Sequence, residues 1–241
     1  MLVHMTNPES GRGTPSKLGV VHRIGGVARQ LGLAWLNVVR GSDVAILYAS
    51  IVTVAAVVLS LVPDRIHDSL VLRSSTNLVN LRHDPLLVLA ASAFVVSGLA
   101  SLWLLPFLML AYAATQRWVG RAATVFVAGL GHVGATLFVS VLISSGITHG
   151  QLARSVERSS DVGVSYALAC VAAFVISQVP HRWRVPYLAA VLAYFSGPLL
   201  LSPTFTGVGH TTALALGFGL ALLAARAAAS TGRQALEPET R

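Results

Sequence analysis

Charged residues are scarce in this sequence. Only 11% of its 241 residues are charged and 54% are hydrophobic, whereas a soluble domain has about 25% charged residues. The charges are gathered into short stretches that separate long uncharged runs, among them residues 44–62 and residues 85–116. As a helix, a run of about 20 apolar residues crosses roughly 30 Å of hydrocarbon. The pattern predicts an all-α membrane protein and disfavours a soluble domain.

Cysteine and lysine are also scarce, with one residue of each type. Cys170 lies inside an apolar run, so neither a disulfide framework nor a cysteine metal site is expected. The sequence has no paired histidines or acids at helical spacing and no glycine-rich phosphate loop, so we expect no metal and no cofactor. The net charge of +8 comes from arginines beside apolar runs. These favour the lipid bilayer as a partner over nucleic acid.

The uncharged runs and the turn residues between them predict six membrane spans within one domain, residues 43–228. The predicted spans are 44–62, 96–115, 122–146, 163–179, 185–201 and 208–226. Before them, residues 1–17 are expected to be a disordered basic tail. Residues 18–42 are either an amphipathic helix on the membrane surface or a basic flank that fixes orientation. Residues 229–241 are expected to be a polar tail.

The distribution of basic residues predicts the orientation of these spans. The segment ending at Arg40 has five basic residues and one acid, and the turns at 117–121 and 182–184 each have two arginines and no acid. The stretches 63–84 and 147–162 are balanced in charge. Because cytoplasmic loops carry the excess of Lys and Arg, both termini are predicted to be cytoplasmic, in a multi-pass protein of the plasma membrane.

Two polar residues are predicted to meet near the outer face. Ser165 lies about four residues below the outer end of span four, or roughly 6 Å down, and His210 lies at a similar depth in span six. A histidine that removes the serine proton makes the hydroxyl a nucleophile. We therefore interpret Ser165 as a nucleophile and His210 as its general base. The competing interpretation of Ser165 is a small residue at a helix contact.

Two other polar residues are expected to have structural roles. His132 is placed near the middle of span three, on the order of 10 Å deeper than Ser165, so we interpret it as bonded within the bundle. A functional polar role for His132 is the alternative. Asp161 precedes span four and is expected to cap its first turn.

With these residues in place, the chain resembles the rhomboid family of intramembrane serine proteases, in a divergent branch of bacterial type, over about residues 43–228. The resemblance implies a six-helix bundle that needs no metal. It rests first on Gly163-Val164-Ser165 and Gly209-His210, at the places of the family's Gly-x-Ser and histidine. The apolar stretch 85–95, which is not needed for a span, resembles the family's partly embedded loop, and Gln116 to Gly120 stands in place of Glu-x-x-x-Gly. Ala213 and Gly217 resemble the family's small residues after the histidine.

The sequence also departs from the family pattern. Tyr166 stands where the family has glycine, and Ser101 and Leu105 stand where it has His-x-x-x-Asn. Losing one oxyanion donor costs about 10²–10³ in rate. The resemblance implies an intramembrane serine endopeptidase that cleaves a membrane-anchored protein, with Gly163 and Ser101 supporting the oxyanion. The alternative is an inactive rhomboid-like protein that binds client membrane helices, and a small-solute transporter is a weaker third.

Overall fold

The computed structural model of the chain describes residues 29–30, 32–37 and 39–234, with side chains to residue 230. The expected tail 1–17, most of the expected surface helix 18–42, and residues 235–241 lie outside the described residues. Residues up to 38 form one unit and residues from 39 onward form a second. In the first unit the described positions are helical. The candidate site belongs entirely to the second unit.

The described part of the second unit consists of helices and contains no strand, as an all-α membrane protein requires. The helices are α1 (Asp43–Ser60), α2 (Asp64–Ser74), α3 (Leu78–His83), α4 (Pro85–Ser92), α5 (Leu105–Thr148), α6 (Ser165–Phe174), α7 (His181–Phe195), α8 (Gly197–Leu201) and α9 (Phe205–Gln234), with short 3₁₀ segments at Leu99–Leu104, Arg154–Arg158 and Val175–Gln178.

Three segments among the described residues are long and apolar enough to cross a membrane: Asp43–Ser60, Leu99–Thr148 and Phe205–Ser230. In α1 the buried residues recur every three or four positions, from Ala45 to Leu59. Its other faces expose large apolar side chains such as Leu47 and Val54. A helix that is apolar on all sides is matched to lipid.

The 44-residue helix α5 is divided at Gly120, whose φ of 83° and ψ of 176° are not helical. Only glycine adopts this backbone conformation without strain. A straight helix of this length would extend about 66 Å, yet Tyr112 and Ala128 line the same cavity. The chain therefore reverses at Gly120. The two arms, 105–119 and 121–148, overlap predicted spans two (96–115) and three (122–146).

The fourth and fifth predicted spans are shorter or interrupted in the structure. Helix α6 has 10 residues and is followed by a 3₁₀ segment of 4, together about 23 Å long. The fifth predicted span is divided between α7 and α8 at Ser196. The count of six spans and the cytoplasmic termini therefore stay predictions.

Helix α6 is the centre of the bundle, and Tyr166 to Phe174 are all buried. Glycines allow its neighbours to approach closely. A Cβ added to Gly131 in α5 would lie 2.2 Å from the Cys170 Cβ, and one added to Gly217 in α9 would lie 2.2 Å from the Cys170 carbonyl oxygen. Gly131 and Gly217 therefore allow α5 and α9 to pack closely against α6.

Candidate functional site

The segment that leads into α6 is held by the polar stretch between α2 and α3. The Ser75 hydroxyl accepts a hydrogen bond from the Asp161 amide at 2.6 Å. The Asp161 carbonyl accepts from the Thr76 amide at 3.0 Å and from the Thr76 hydroxyl at 2.9 Å. The next polar link is made by Gly163, whose N–H donates to the Ser92 carbonyl at 3.1 Å. The chain thus enters the bundle in a non-helical conformation, and α6 begins only at Ser165.

Ser165 lines a small cavity together with His132, Asp161, Gly163 and Tyr166, among others, and the cavity is too small to admit a water molecule. The Ser165 hydroxyl forms no hydrogen bond with the described residues. The prediction that His132 lies on the order of 10 Å deeper than Ser165 is wrong, because both residues line this cavity. The physical reason is that the predicted depth assumed a regular helix from residue 163, whereas residues 161–164 are not helical and α6 begins only at Ser165.

His132 links the second arm of α5 to α4 by hydrogen bonds. Its Nε2 lies 3.0 Å from the Ser92 hydroxyl and 3.1 Å from the Leu89 carbonyl oxygen. A carbonyl oxygen can only accept, so Nε2 carries the proton and donates. His132 is therefore hydrogen-bonded within the bundle, as predicted, and its purely structural role stays a prediction. Its Nδ1 is buried and has no hydrogen-bond partner.

The side chain that faces His210 is that of Tyr166. The two rings meet edge to face, with centroids 5.3 Å apart, and Phe195 contacts His210 from another side at 5.5 Å. A Cβ added to Gly209 would lie 2.3 Å from the Tyr166 Oη. His210 Nε2 is buried without a partner. Within the described chain, Ser165 and His210 are not hydrogen-bonded to each other.

Asp161 does not cap α6, contrary to the prediction. The N-cap position belongs to Val164 and makes no side-chain cap. The Asp161 carboxylate instead accepts a hydrogen bond from the Tyr166 hydroxyl at 2.8 Å. Burial raises the pKa of Asp161 above its ordinary value, and the hydrogen bond from Tyr166 opposes that rise.

The two residues expected to support an oxyanion have other positions. Ser101 lies in the 3₁₀ segment before α5, where its amide donates to the Gly98 carbonyl, and it does not line the cavity that contains Ser165. Gly163 does line that cavity, but its N–H is used by Ser92. Leu105, at the other departure from the family pattern, begins α5. Ser165 as nucleophile and His210 as base stay a prediction.

A polar cluster at the start of α1 was missed by the sequence reasoning. Gln116 donates to the Asp43 carboxylate and accepts from the Val44 amide at 3.1 Å. Arg121 pairs with the same carboxylate at 2.8 Å. The cluster joins α1 to both arms of α5 at their turn. The one sequence signal was Gln116 itself, at the position where the family has glutamate.

Comparison with known proteins identifies the family. A family model described as rhomboid-like protein matches residues 37–230. The chain therefore belongs to the rhomboid-like family, and its apolar helices are those of a membrane protein. No curated protein and no solved structure matches it.

Proposed function

We propose that this protein binds a client membrane helix and does not hydrolyse it. The observation that carries the proposal is the position of Tyr166, whose ring lies against His210. A general base has to come within about 3 Å of the nucleophile. The Ser165 hydroxyl lies instead in the small cavity that His132 also lines, and it is hydrogen-bonded to neither histidine.

The client would lie in an apolar groove between the start of α5 and α7. We call it the client groove; it has a volume of about 320 Å³ and is lined by Trp103, Leu104, Phe107, Tyr187, Ala190, Val191, Tyr194 and Phe195. An edge-to-face contact between Trp103 and Tyr194, at 5.7 Å, bridges it. Helices associate in lipid through van der Waals packing, and aromatic walls offer large contact areas.

The client groove reaches the residues of the candidate site through one side chain. Phe195 lines the groove and also contacts the His210 ring. A helix in the groove would therefore lie next to the Tyr166–His210 pair. This arrangement supports binding beside the former catalytic position.

Photocrosslinking tests the groove. A benzoylphenylalanine at Trp103 is compared in native membranes with one at Phe126, because the two side chains are 63% and 61% exposed and only Trp103 lines the groove. We expect a discrete crosslinked membrane protein from Trp103 alone. The substitution Ala190→Trp should fill the groove and remove the product, whereas Ala189→Trp, outside the groove, should leave it. Equal products from both probe positions would contradict client binding.

The second candidate is the intramembrane serine endopeptidase with Ser165 as nucleophile and His210 as base. One observation favours it: neither the Ser165 hydroxyl nor His210 Nε2 has a hydrogen-bond partner among the described residues. Such groups are available for proton transfer if the Tyr166 ring is displaced. The oxyanion would then depend on backbone N–H groups near Ser165, because Ser101 does not line the cavity that contains Ser165.

A fluorophosphonate probe separates the two candidates. We expect no labelling of Ser165 in the purified protein, with Ser165→Ala as the reference. The captured client should keep its full length in the presence of the wild-type protein. Labelling or cleavage that is lost in both Ser165→Ala and His210→Ala would establish the endopeptidase and overturn the first proposal.

A further inference from the structure

A second, larger cavity lies among the loops, and it shares no lining residue with the client groove. Its volume is about 520 Å³, and its walls come from segments 76–78, 159–161 and 203–206 and from the face of α5 between Thr136 and Ile143. Ligand sites of roughly 300–1,000 Å³ are mostly apolar and have a few convergent polar groups. This cavity, here the loop cavity, fits that description.

Asp161 supplies the only charge among the residues that line the loop cavity. One carboxylate oxygen, Oδ2, accepts from Tyr166, and the described residues form no ion pair with Asp161. Glu157, in the neighbouring 3₁₀ segment, is already paired with Arg82. An unpaired, partly buried carboxylate is costly unless a cation compensates it.

Thr136 adds a second polar group to the loop cavity, one without a hydrogen-bond partner. Other hydroxyls on α5 bond to the carbonyl four residues back, as those of Thr124 and Ser140 do. The Thr136 hydroxyl does not; it is buried without a hydrogen-bond partner, on a residue that is 1% exposed and lines the loop cavity. A buried hydroxyl left unpaired costs free energy, so a ligand that bonds to it is favoured.

We propose that the loop cavity binds a protonated primary amine carried on an apolar body, with Asp161 as counter-ion and Thr136 as a further acceptor. An ammonium group presents three donors in different directions. A guanidinium is disfavoured because its two-pronged contact needs both carboxylate oxygens, and Tyr166 uses one of them. A metal ion is disfavoured because calcium takes 6–8 oxygen ligands and the described residues hold no cluster of three acidic, histidine or cysteine side chains.

The apolar part of the ligand has its own surface in the loop cavity. Val139 and Ile143 of α5 line it together with Phe205 and Val208 of α9, which pack against them. The shared chemistry fits two sources, a free alkylamine or a lysine side chain of a polypeptide. The proposal goes beyond client binding and does not rest on it.

Calorimetric titration of the full chain in detergent at neutral pH tests the proposal. The probes are n-butylamine, its neutral counterpart 1-butanol, and the blocked peptide acetyl-Leu-Lys-Leu-amide with a norleucine counterpart. We expect at least one amine to bind ten-fold or more tightly than its neutral counterpart. Binding by butylamine indicates a free amine, and binding by the lysine peptide alone indicates a polypeptide. If neither amine is preferred, the proposal is wrong.

Variants locate the site. Asp161→Asn keeps an acceptor for Tyr166 and should weaken amine binding ten-fold or more, whereas Asp68→Asn, at an exposed acid on α2, should leave it unchanged. Ser160→Trp places a large side chain at an exposed residue of the cavity wall and should block binding with Asp161 still present. Unchanged affinity in Ser160→Trp or in folded Asp161→Asn would overturn the proposal.

Discussion

At the scale of single residues, the decisive fact is which side chain of α6 points toward α9. Consecutive residues of an α-helix point about 100° apart, so Ser165 and Tyr166 face different neighbours. Tyr166 meets His210, and Ser165 meets the cavity beside His132. A difference of one residue in the register of α6 therefore separates the predicted Ser165–His210 pair from the observed Tyr166–His210 contact.

The close packing of α9 against α6 can be tested at single glycines. A Cβ at Gly217 would meet the Cys170 backbone, which cannot move aside, whereas a Cβ at Gly219 of the same helix meets nothing within 4 Å. We expect Gly217→Ala to lower the free energy of unfolding by about 1–3 kcal/mol. Gly219→Ala should be neutral or stabilising by up to about 1 kcal/mol. Thermal unfolding in detergent measures both, and equal midpoints would contradict the packing described.

The burial of Asp161 predicts that the stability of the folded protein depends on pH. Burial raises its pKa in the folded protein, so the folded state binds the proton more tightly than the unfolded state does. Its contribution to stability is therefore fully present below the unfolded pKa and is lost as the pH rises through the folded pKa. The other titratable residues that line the same small cavity as Asp161 are Tyr166 and His132.

Thermal unfolding of Asp161→Asn against the wild type measures this dependence. The wild type should gain stability relative to the variant as the pH falls from neutral toward the ordinary carboxyl range. A wild type that instead loses stability relative to Asp161→Asn on acidification would refute the assignment.

At the scale of elements, the reversal at Gly120 and the short helix α6 shape the site. The reversal brings Tyr112 and His132 to one cavity wall, and the Asp43–Gln116–Arg121 cluster holds the turn against α1. Residues 159–164, which precede the short α6, are not helical, and Asp161 among them lines the loop cavity. Both features are local interruptions of helices, and both position polar groups.

Gly120→Ala tests the reversal. Its φ of 83° and ψ of 176° cost a residue with a Cβ about 1–3 kcal/mol, so we expect a lower unfolding midpoint. Gly129→Ala is the control, because Gly129 lies within the second arm of α5 and a Cβ there meets nothing within 4 Å. The control should be unchanged or more stable. If Gly120→Ala matched the control, the arms would have to be joined in another way.

At the scale of the whole molecule, the grouping of loops and basic residues bears on how the bundle crosses the membrane. The loop cavity gathers segments 76–78, 159–161 and 203–206 at one place, as loops from the same side of a membrane would be gathered. The Asp43–Gln116–Arg121 cluster belongs to other segments, in which Lys and Arg predict the cytoplasmic side.

Cysteine labelling in intact cells measures this topology. The native Cys170 is fully buried, so a membrane-impermeant maleimide should report only on a cysteine introduced at an exposed site. We expect Ser160→Cys to be labelled from outside and Arg121→Cys to be labelled only after the cells are opened. The reverse pattern would contradict the predicted orientation.

The sequence by itself determined the membrane class, which depends on runs of apolar residues that the chain displays without folding. It also indicated the family, through the resemblance of motifs such as Gly163-Val164-Ser165 and Gly209-His210. It also indicated Gln116 and His132 as notable, because polar residues are rare in such runs.

Only the tertiary structure decided where α6 begins, that Tyr166 faces His210, and that Asp161 lines a cavity instead of capping a helix. Neighbouring residues of α6 point about 100° apart, so the side chain that faces α9 depends on how the start of the helix is held. That start is held by hydrogen bonds with Ser75, Thr76 and Ser92, residues distant in sequence. Such long-range bonds leave no pattern in the local sequence. Only the folded chain could therefore show which way the Ser165 and Tyr166 side chains point.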